Sequence, residues 1–312
     1  MRIRLSFGAL YRGRCFCLFV VALALMHSLA SAGPPKIWEQ ISGEKAMEHV
    51  QRLVDLGPRP PASEAIEKSR AYIEKQLESW GWKVTRQAFT DDTPRGKVGF
   101  VNLIAQFHAR NAKVNAASLF LLCSHYDTKW FDTVRFVGAN DGGSSTGLLL
   151  ELARVLAQDP DLAAKVELVF FDGEEAYENF SETDGLYGSR YFANKLVQDK
   201  SARQFRGGIL FDMVGDRSLN ITLPPDSPSQ IAHDIFAAAD ALNLRSYFSY
   251  FDRQITDDHT PLNRIGIPTI DLIDFDFPWW HTADDTIDKL SAESLGKVGS
   301  VAIYYLSEFA LK

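Results

Sequence analysis

The stretch Leu119-Phe120-Leu121-Leu122-Cys123 is apolar without a break. A strand that offers no polar face must be covered on both sides, which demands a sheet with helices above and below it. Residues 165–171 make a second such strand, with Val166, Leu168 and Phe170 alternating among aromatic and β-branched neighbours. Gly208-Ile209-Leu210-Phe211 and the run 267–273 make a third and a fourth. Helical spacing over 146–156 separates the first two, and strand, helix, strand in that order describes a parallel βαβ unit of an α/β fold.

Around this frame, Met47, Val50, Leu53 and Val54 predict a helix that Gly57-Pro58-Arg59-Pro60-Pro61 stops. Ser63 is placed to cap a second helix carrying Ile66, Ala71, Ile73 and Leu77, ended by Gly81. Strands are expected over 82–89 and 101–107 with a turn-rich 91–99 between them, and 111–117 reads as a loop between hairpin partners. Further helices are expected over 187–196, 229–242 and 291–311, and 246–253 reads as aromatic and irregular.

The amino terminus carries Arg2, Arg4, Arg12 and Arg14, an apolar run over 16–29 and then Ala30-Ser31-Ala32. That is the pattern of a secretory signal peptide, cleaved after Ala32, and the run is short for a membrane anchor. Periplasmic or extracellular export is expected, with residues 33–312 as a single catalytic domain and no membrane partner once the signal is removed. Taking the four arginines of residues 1–32 from a formal charge of −7 leaves −11, which disfavours nucleic acid. Cys15 and Cys17 leave with the signal, so Cys123 stands alone and no intramolecular disulfide can form.

The second strand ends in Phe170-Phe171-Asp172-Gly173-Glu174-Glu175. Gly173 lets the chain turn, and two adjacent carboxylates then stand at the carboxyl end of a strand, where α/β sheets bind ligands. Two ionised carboxylates repel; a metal on one relieves this and leaves the other as a base. The first strand delivers Ser124-His125-Tyr126-Asp127, in which Asp127 is a candidate partner for the second ring nitrogen of His125, though spacing alone leaves that open. Asp141 follows Gly138-Ala139-Asn140 just before a helix, as a cap or a ligand, and no Gly-x-x-x-x-Gly-Lys phosphate loop is present. Asp212 ends the third strand, and His281 follows the fourth within Phe275-Asp276-Phe277-Pro278-Trp279-Trp280-His281-Thr282. Singly these are core histidines, caps and surface acids; the weight lies in their recurrence at strand ends. Imidazoles 125 and 281 with carboxylates 141, 175 and 212 suit zinc, as one ion with an open position or as a pair bridged by Asp141.

These motifs, in order, resemble the metal-site motifs of the zinc aminopeptidase and glutaminyl cyclase superfamily. With Leu186-Tyr187-Gly188-Ser189-Arg190, Asp257-Asp258-His259-x-Pro261 and Phe277-Pro278-x-Trp280-His281-Thr282, the chain resembles the glutaminyl-peptide cyclotransferase branch, in a bacterial version. The resemblance implies a mixed, mostly parallel central sheet flanked by helices, and one zinc held by Asp141, Glu175 and His281. It implies cyclisation of N-terminal glutaminyl residues of peptides to pyroglutamate with loss of ammonia, Glu174 shuttling the proton; separately from the resemblance, a monomer is expected. Asp257 and Asp212 would join its hydrogen-bond network. His125 and Asp212 match the ligands of a second metal in two-zinc peptidases, so a second ion is possible. Trp280, Phe277, Phe180 and Thr256 are the expected substrate contacts. Phe180 and Thr256 stand where the animal cyclases carry tryptophan and glutamine. The animal disulfide has no counterpart. An exported zinc aminopeptidase is the alternative, and a non-catalytic binding domain is opposed by the intact ligand set.

Overall fold

The computed structural model describes residues 36–108 and 119–312. The expected signal peptide and the 111–117 loop lie outside the described residues. One eight-stranded sheet runs in the order β1-β2-β4-β3-β5-β8-β6-β7. Its strands are β1 (Trp82–Thr93), β2 (Gly96–Phe107), β3 (Leu119–His125), β4 (Val166–Phe171), β5 (Phe205–Asp212), β6 (Ile221–Leu223), β7 (Phe248–Tyr250) and β8 (Thr269–Ile273). The central β4, β3, β5 and β8 are mutually parallel, whereas β1 with β2, β2 with β4, and β6 with β8 pair antiparallel. The sheet is thus mixed, with a parallel centre.

Helices α1 (Gly43–Asp55), α2 (Glu64–Ser79), α3 (Gly143–Leu156), α4 (Pro160–Ala163), α5 (Tyr187–Gln198), α6 (Ser229–Ala241), α7 (His259–Arg264) and α8 (Ala292–Tyr305) surround it. Ser42 and Ser63 cap α1 and α2, their hydroxyls accepting from the Lys45 and Ile66 N–H groups. Every residue of α3 except Arg154 is buried, which explains its apolar composition. Alternate residues of β3 feed two cores, Phe120 and Leu122 into the larger and Leu121 and Cys123 into the smaller. That division is the two-sided burial expected of an unbroken apolar strand.

Three local expectations change. The hairpin of β1 and β2 runs through most of the region expected to be turn-rich, because Asp91, Asp92 and Thr93 keep pairing with Val98, Lys97 and Gly96. β2 pairs with β1 and β4 rather than with β3, so 111–117 does not connect hairpin partners. Phe248–Tyr250 is a short strand inside the segment expected to be irregular.

His49 on α1 packs against Tyr72 and Trp80, with its Nδ1 2.6 Å from the Tyr72 hydroxyl. Burial, and then Arg154, lower its pKa from 6.5 to about 4. A folded-state pKa below the unfolded one gives stability that is complete above pH 6.5 and lost as the pH falls towards 4. The loss amounts to about 3 kcal/mol. Urea denaturation at pH 7 and pH 4 should show that this part of the acid sensitivity disappears in His49→Gln.

Candidate metal centre and active site

The parallel strands deliver their ends to one edge of the sheet. His125 closes β3 and Asp212 closes β5, while Glu174 and Glu175 follow β4 and His281 follows β8. Asp141 lies between β3 and α3. The turn after β4 depends on Gly173, at φ 72°, where a Cβ would sit 2.5 Å from the Phe100 ring. Asp172 is structural: its Oδ2 accepts from the Arg70 guanidinium at 2.5 Å and from the Val101 N–H at 2.7 Å.

Two groups of ligand-type atoms meet at Asp141. His281 Nε2 lies 3.3 Å from Asp141 Oδ2 and 3.1 Å from Glu175 Oε2. His125 Nε2 lies 3.2 Å from Asp141 Oδ1 and 3.2 Å from Asp212 Oδ1. The structure therefore brings all five sequence-predicted ligands together, and Asp141 offers one oxygen to each histidine. Asp141 Oδ2 and Glu175 Oε2 are buried without a hydrogen-bond partner, while His281 Nε2 lies 3.2 Å from Glu175 Oε1, so oxygen lone pairs and ring nitrogens converge. Such a donor set fits a divalent cation of the zinc type.

Supporting residues hold this arrangement. The Asp127 carboxylate lies 3.4 Å from His125 Nδ1 and accepts the backbone N–H groups of Glu174 at 3.1 Å and Glu175 at 3.4 Å. Asp285 accepts the N–H groups of Asn140 at 2.7 Å and Asp141 at 3.1 Å. Arg59, fully buried, donates to the carbonyls of Val137 and Gly138 in the same loop. Lys129 donates to the Ala176 carbonyl at 2.5 Å, with its Nζ 3.7 Å from Glu175 Oε2. Sequence reasoning missed Asp285 and Arg59, since a charged residue in a loop reads as surface; the acids following His281-Thr282 were the available hint.

A cavity of about 200 Å³ opens onto the centre, lined by Glu174, Asp257, Phe180, Thr256 and Trp280 among others. Gln254, Ile255 and Phe275 join its wall without having been expected there. Phe277 does not line it: that side chain is buried with Met213, Ile255 and Ile273 and supports the wall from behind. Trp280 stacks on the His281 ring at 4.1 Å between centroids. The loop bearing Phe180 is folded around Asp184, which accepts the N–H groups of Tyr177, Glu178 and Asn179 and the Tyr187 hydroxyl. Burial, then Asp257, hold the Glu174 carboxyl well above the ordinary range, while burial, then Asp212, push Asp257 up to about 6. A carboxyl raised in this way accepts a proton more readily than an ordinary glutamate, which suits general base work.

The model of peptidase family M28 matches residues 102–306. The crystal structure of the Acidobacteriales bacterium glutaminyl cyclase superposes with a TM-score of 0.80 at 31% identity, covering 90% of this chain and 97% of that one. The chain belongs to the glutaminyl cyclases of peptidase family M28. The Dictyostelium discoideum glutaminyl-peptide cyclotransferase is 27% identical, with 86% of each chain covered. A Zn-dependent exopeptidase from Parabacteroides distasonis superposes at a TM-score of 0.77 and 26% identity, over 86% of this chain and 99% of that one. Family membership accounts for the mixed sheet and for metal-ligand motifs at its carboxyl edge. Among the described residues, no helix is long and apolar enough to cross a membrane.

If the centre holds a metal, chelation should lower the melting temperature and added metal should restore it. At a thousandfold excess over Kd the bound ion contributes about 4 kcal/mol. Scanning calorimetry before and after chelation measures this; an unchanged transition would contradict a metal in the folded chain.

Proposed function

We propose that the chain cyclises N-terminal glutaminyl residues of peptides and proteins to pyroglutamate, releasing ammonia. The observation that carries this is the buried Glu174 carboxyl at the end of a small aromatic-walled cavity, beside the Asp141, Glu175 and His281 group. The α-amine nitrogen forms a bond to the γ-carbonyl carbon and the bond from that carbon to the amide nitrogen breaks. Glu174 accepts the proton that the amine loses and returns it to the departing nitrogen, so the carboxylate ends as it began. One zinc at the cavity is the proposed catalytic ion, held by Asp141, Glu175 and His281; when bound, it supplies Lewis-acid polarisation of the γ-carbonyl.

Asp257 is proposed to receive a hydrogen bond from the substrate amide, with Asp212 in the same network. Phe180 and Trp280 flank the apolar stem of the glutaminyl side chain, and Thr256 contributes to the wall. Phe277 acts through packing. Residues 1–32 are proposed as a cleaved signal peptide, leaving residues 33–312 as one catalytic domain, a monomer in the periplasm or outside the cell.

The second reading, an exported zinc aminopeptidase, draws support from the His125 and Asp212 pair at Asp141, which could hold a second ion. Incubating the zinc-loaded mature chain with a Gln-Ala peptide separates the two by mass spectrometry. Loss of one ammonia with the peptide bond intact is expected; release of free glutamine would replace the cyclase reading with the peptidase.

A further inference from the structure

A third group of buried ligand-type atoms stands behind the cavity wall. Asp257, His259 and Asp271 each present one such atom, all within 4.8 Å of one another. Asp257 precedes α7, His259 opens it, and Asp271 lies in the middle of β8. His259 Nδ1 is 3.6 Å from Asp271 Oδ2, and His259 Nε2 is 3.4 Å from Asp226 Oδ2. Asp257 is 3% exposed, and His259 and Asp271 are fully buried.

Asp257 Oδ2, His259 Nδ1 and both carboxylate oxygens of Asp271 lack a hydrogen-bond partner, as do both oxygens of the adjacent Asp258. Among the described residues, the ion pairs of this group involve only His259, and none reaches a lysine or arginine. Buried acceptors without a donor are costly, and crowded buried carboxylates without a counter-charge are costlier still. A single imidazolium could offset only one of them. The donor set, two carboxylates and an imidazole, repeats that of Asp141, Glu175 and His281, and a dication with a neutral imidazole leaves it without net charge.

We propose that Asp257, His259 and Asp271 form a further site for a divalent transition-metal cation such as zinc, with a structural role. The ion ties the end of the segment that carries Gln254, Ile255 and Thr256 on the cavity wall to the central strand β8. It thereby fixes where Asp257 meets the cavity. The inference rests on this group's own geometry and holds whichever reaction the cavity supports.

Metal content tests it. The mature chain, stripped with a chelator, reconstituted with zinc and desalted, should hold one more zinc equivalent than Asp271→Asn or His259→Gln. His281→Gln should lose an equivalent separately, and His281→Gln combined with Asp271→Asn should lose both. Asp271→Asn and His259→Gln variants that retain as much zinc as the parent chain would overturn the site. Should the variants fail to fold, diffraction from zinc-loaded crystals of the parent chain at the zinc absorption edge decides. An anomalous peak among the three side chains is expected. A peak beside His281 with none here would make the group one that is neutralised by protons.

Discussion

Replacing Glu174 by glutamine is expected to slow pyroglutamate formation by about 10²- to 10⁴-fold, the usual range for a lost general acid or base. The substitution keeps the side chain's shape but removes its ability to take a proton. The position is otherwise fixed, because the Glu174 N–H donates to Asp127 and the turn is set by Gly173. Metal content, proposed to rest on Glu175 and its partners, should stay at the parental level. Because the proton moves only as the reaction proceeds, kcat should fall while KM changes little. A variant that keeps a tenth of the parental kcat would remove Glu174 from the reaction. A variant that loses kcat and metal together would make its role structural.

Gly142→Ala should be among the more damaging small substitutions near the centre. Gly142 has φ 75°, a conformation that costs an L-residue about 1–2 kcal/mol. The added methyl would also stand 2.6 Å from the Asp127 carbonyl oxygen and 3.0 Å from His125 Cε1. Neither neighbour can yield cheaply, since Asp127 holds the backbone of both glutamates and His125 faces Asp141 and Asp212. Relieving such a clash costs about a further 1–3 kcal/mol. A loss of about 2–5 kcal/mol in urea denaturation is therefore expected, with weaker metal binding by isothermal titration. An alanine variant within 0.5 kcal/mol of the parent would show that the loop can shift, contrary to the clamp formed by Asp127, Asp285 and Arg59.

What the sequence made legible and what it hid divide along physical lines. β3, β4, β5 and β8 were readable because burial on both faces leaves no polar residue to confuse the pattern. Ligands at their ends could then be found without any pairing information. β6 and β7, at three residues each, are too short for a period to show. The partner of β2 was not readable at all, since an apolar strand is chemically acceptable beside several others and the choice between β3 and β4 is a matter of topology. Phe277 was misplaced by one step, as a lining residue instead of a support, because an aromatic next to a ligand motif can face either way. Asp285 and Arg59 were hidden by the ordinary expectation that charge lies outside.

The centre also has a temporal consequence. His281 and Glu175, which face each other across the site, are 106 positions apart in the chain. By contrast, the β1 and β2 hairpin closes over a few residues and can form early, since local contacts carry little loop-closure cost. A ribosome-bound chain that has released α3 and β4 already displays Asp141 and Glu175, yet it has no complete ligand set until β8 has been made and aligned beside β5. Capture of the proposed metal is thus a late event in the life of each molecule, and a chain truncated before residue 281 could fold much of its sheet and still carry an unfinished centre.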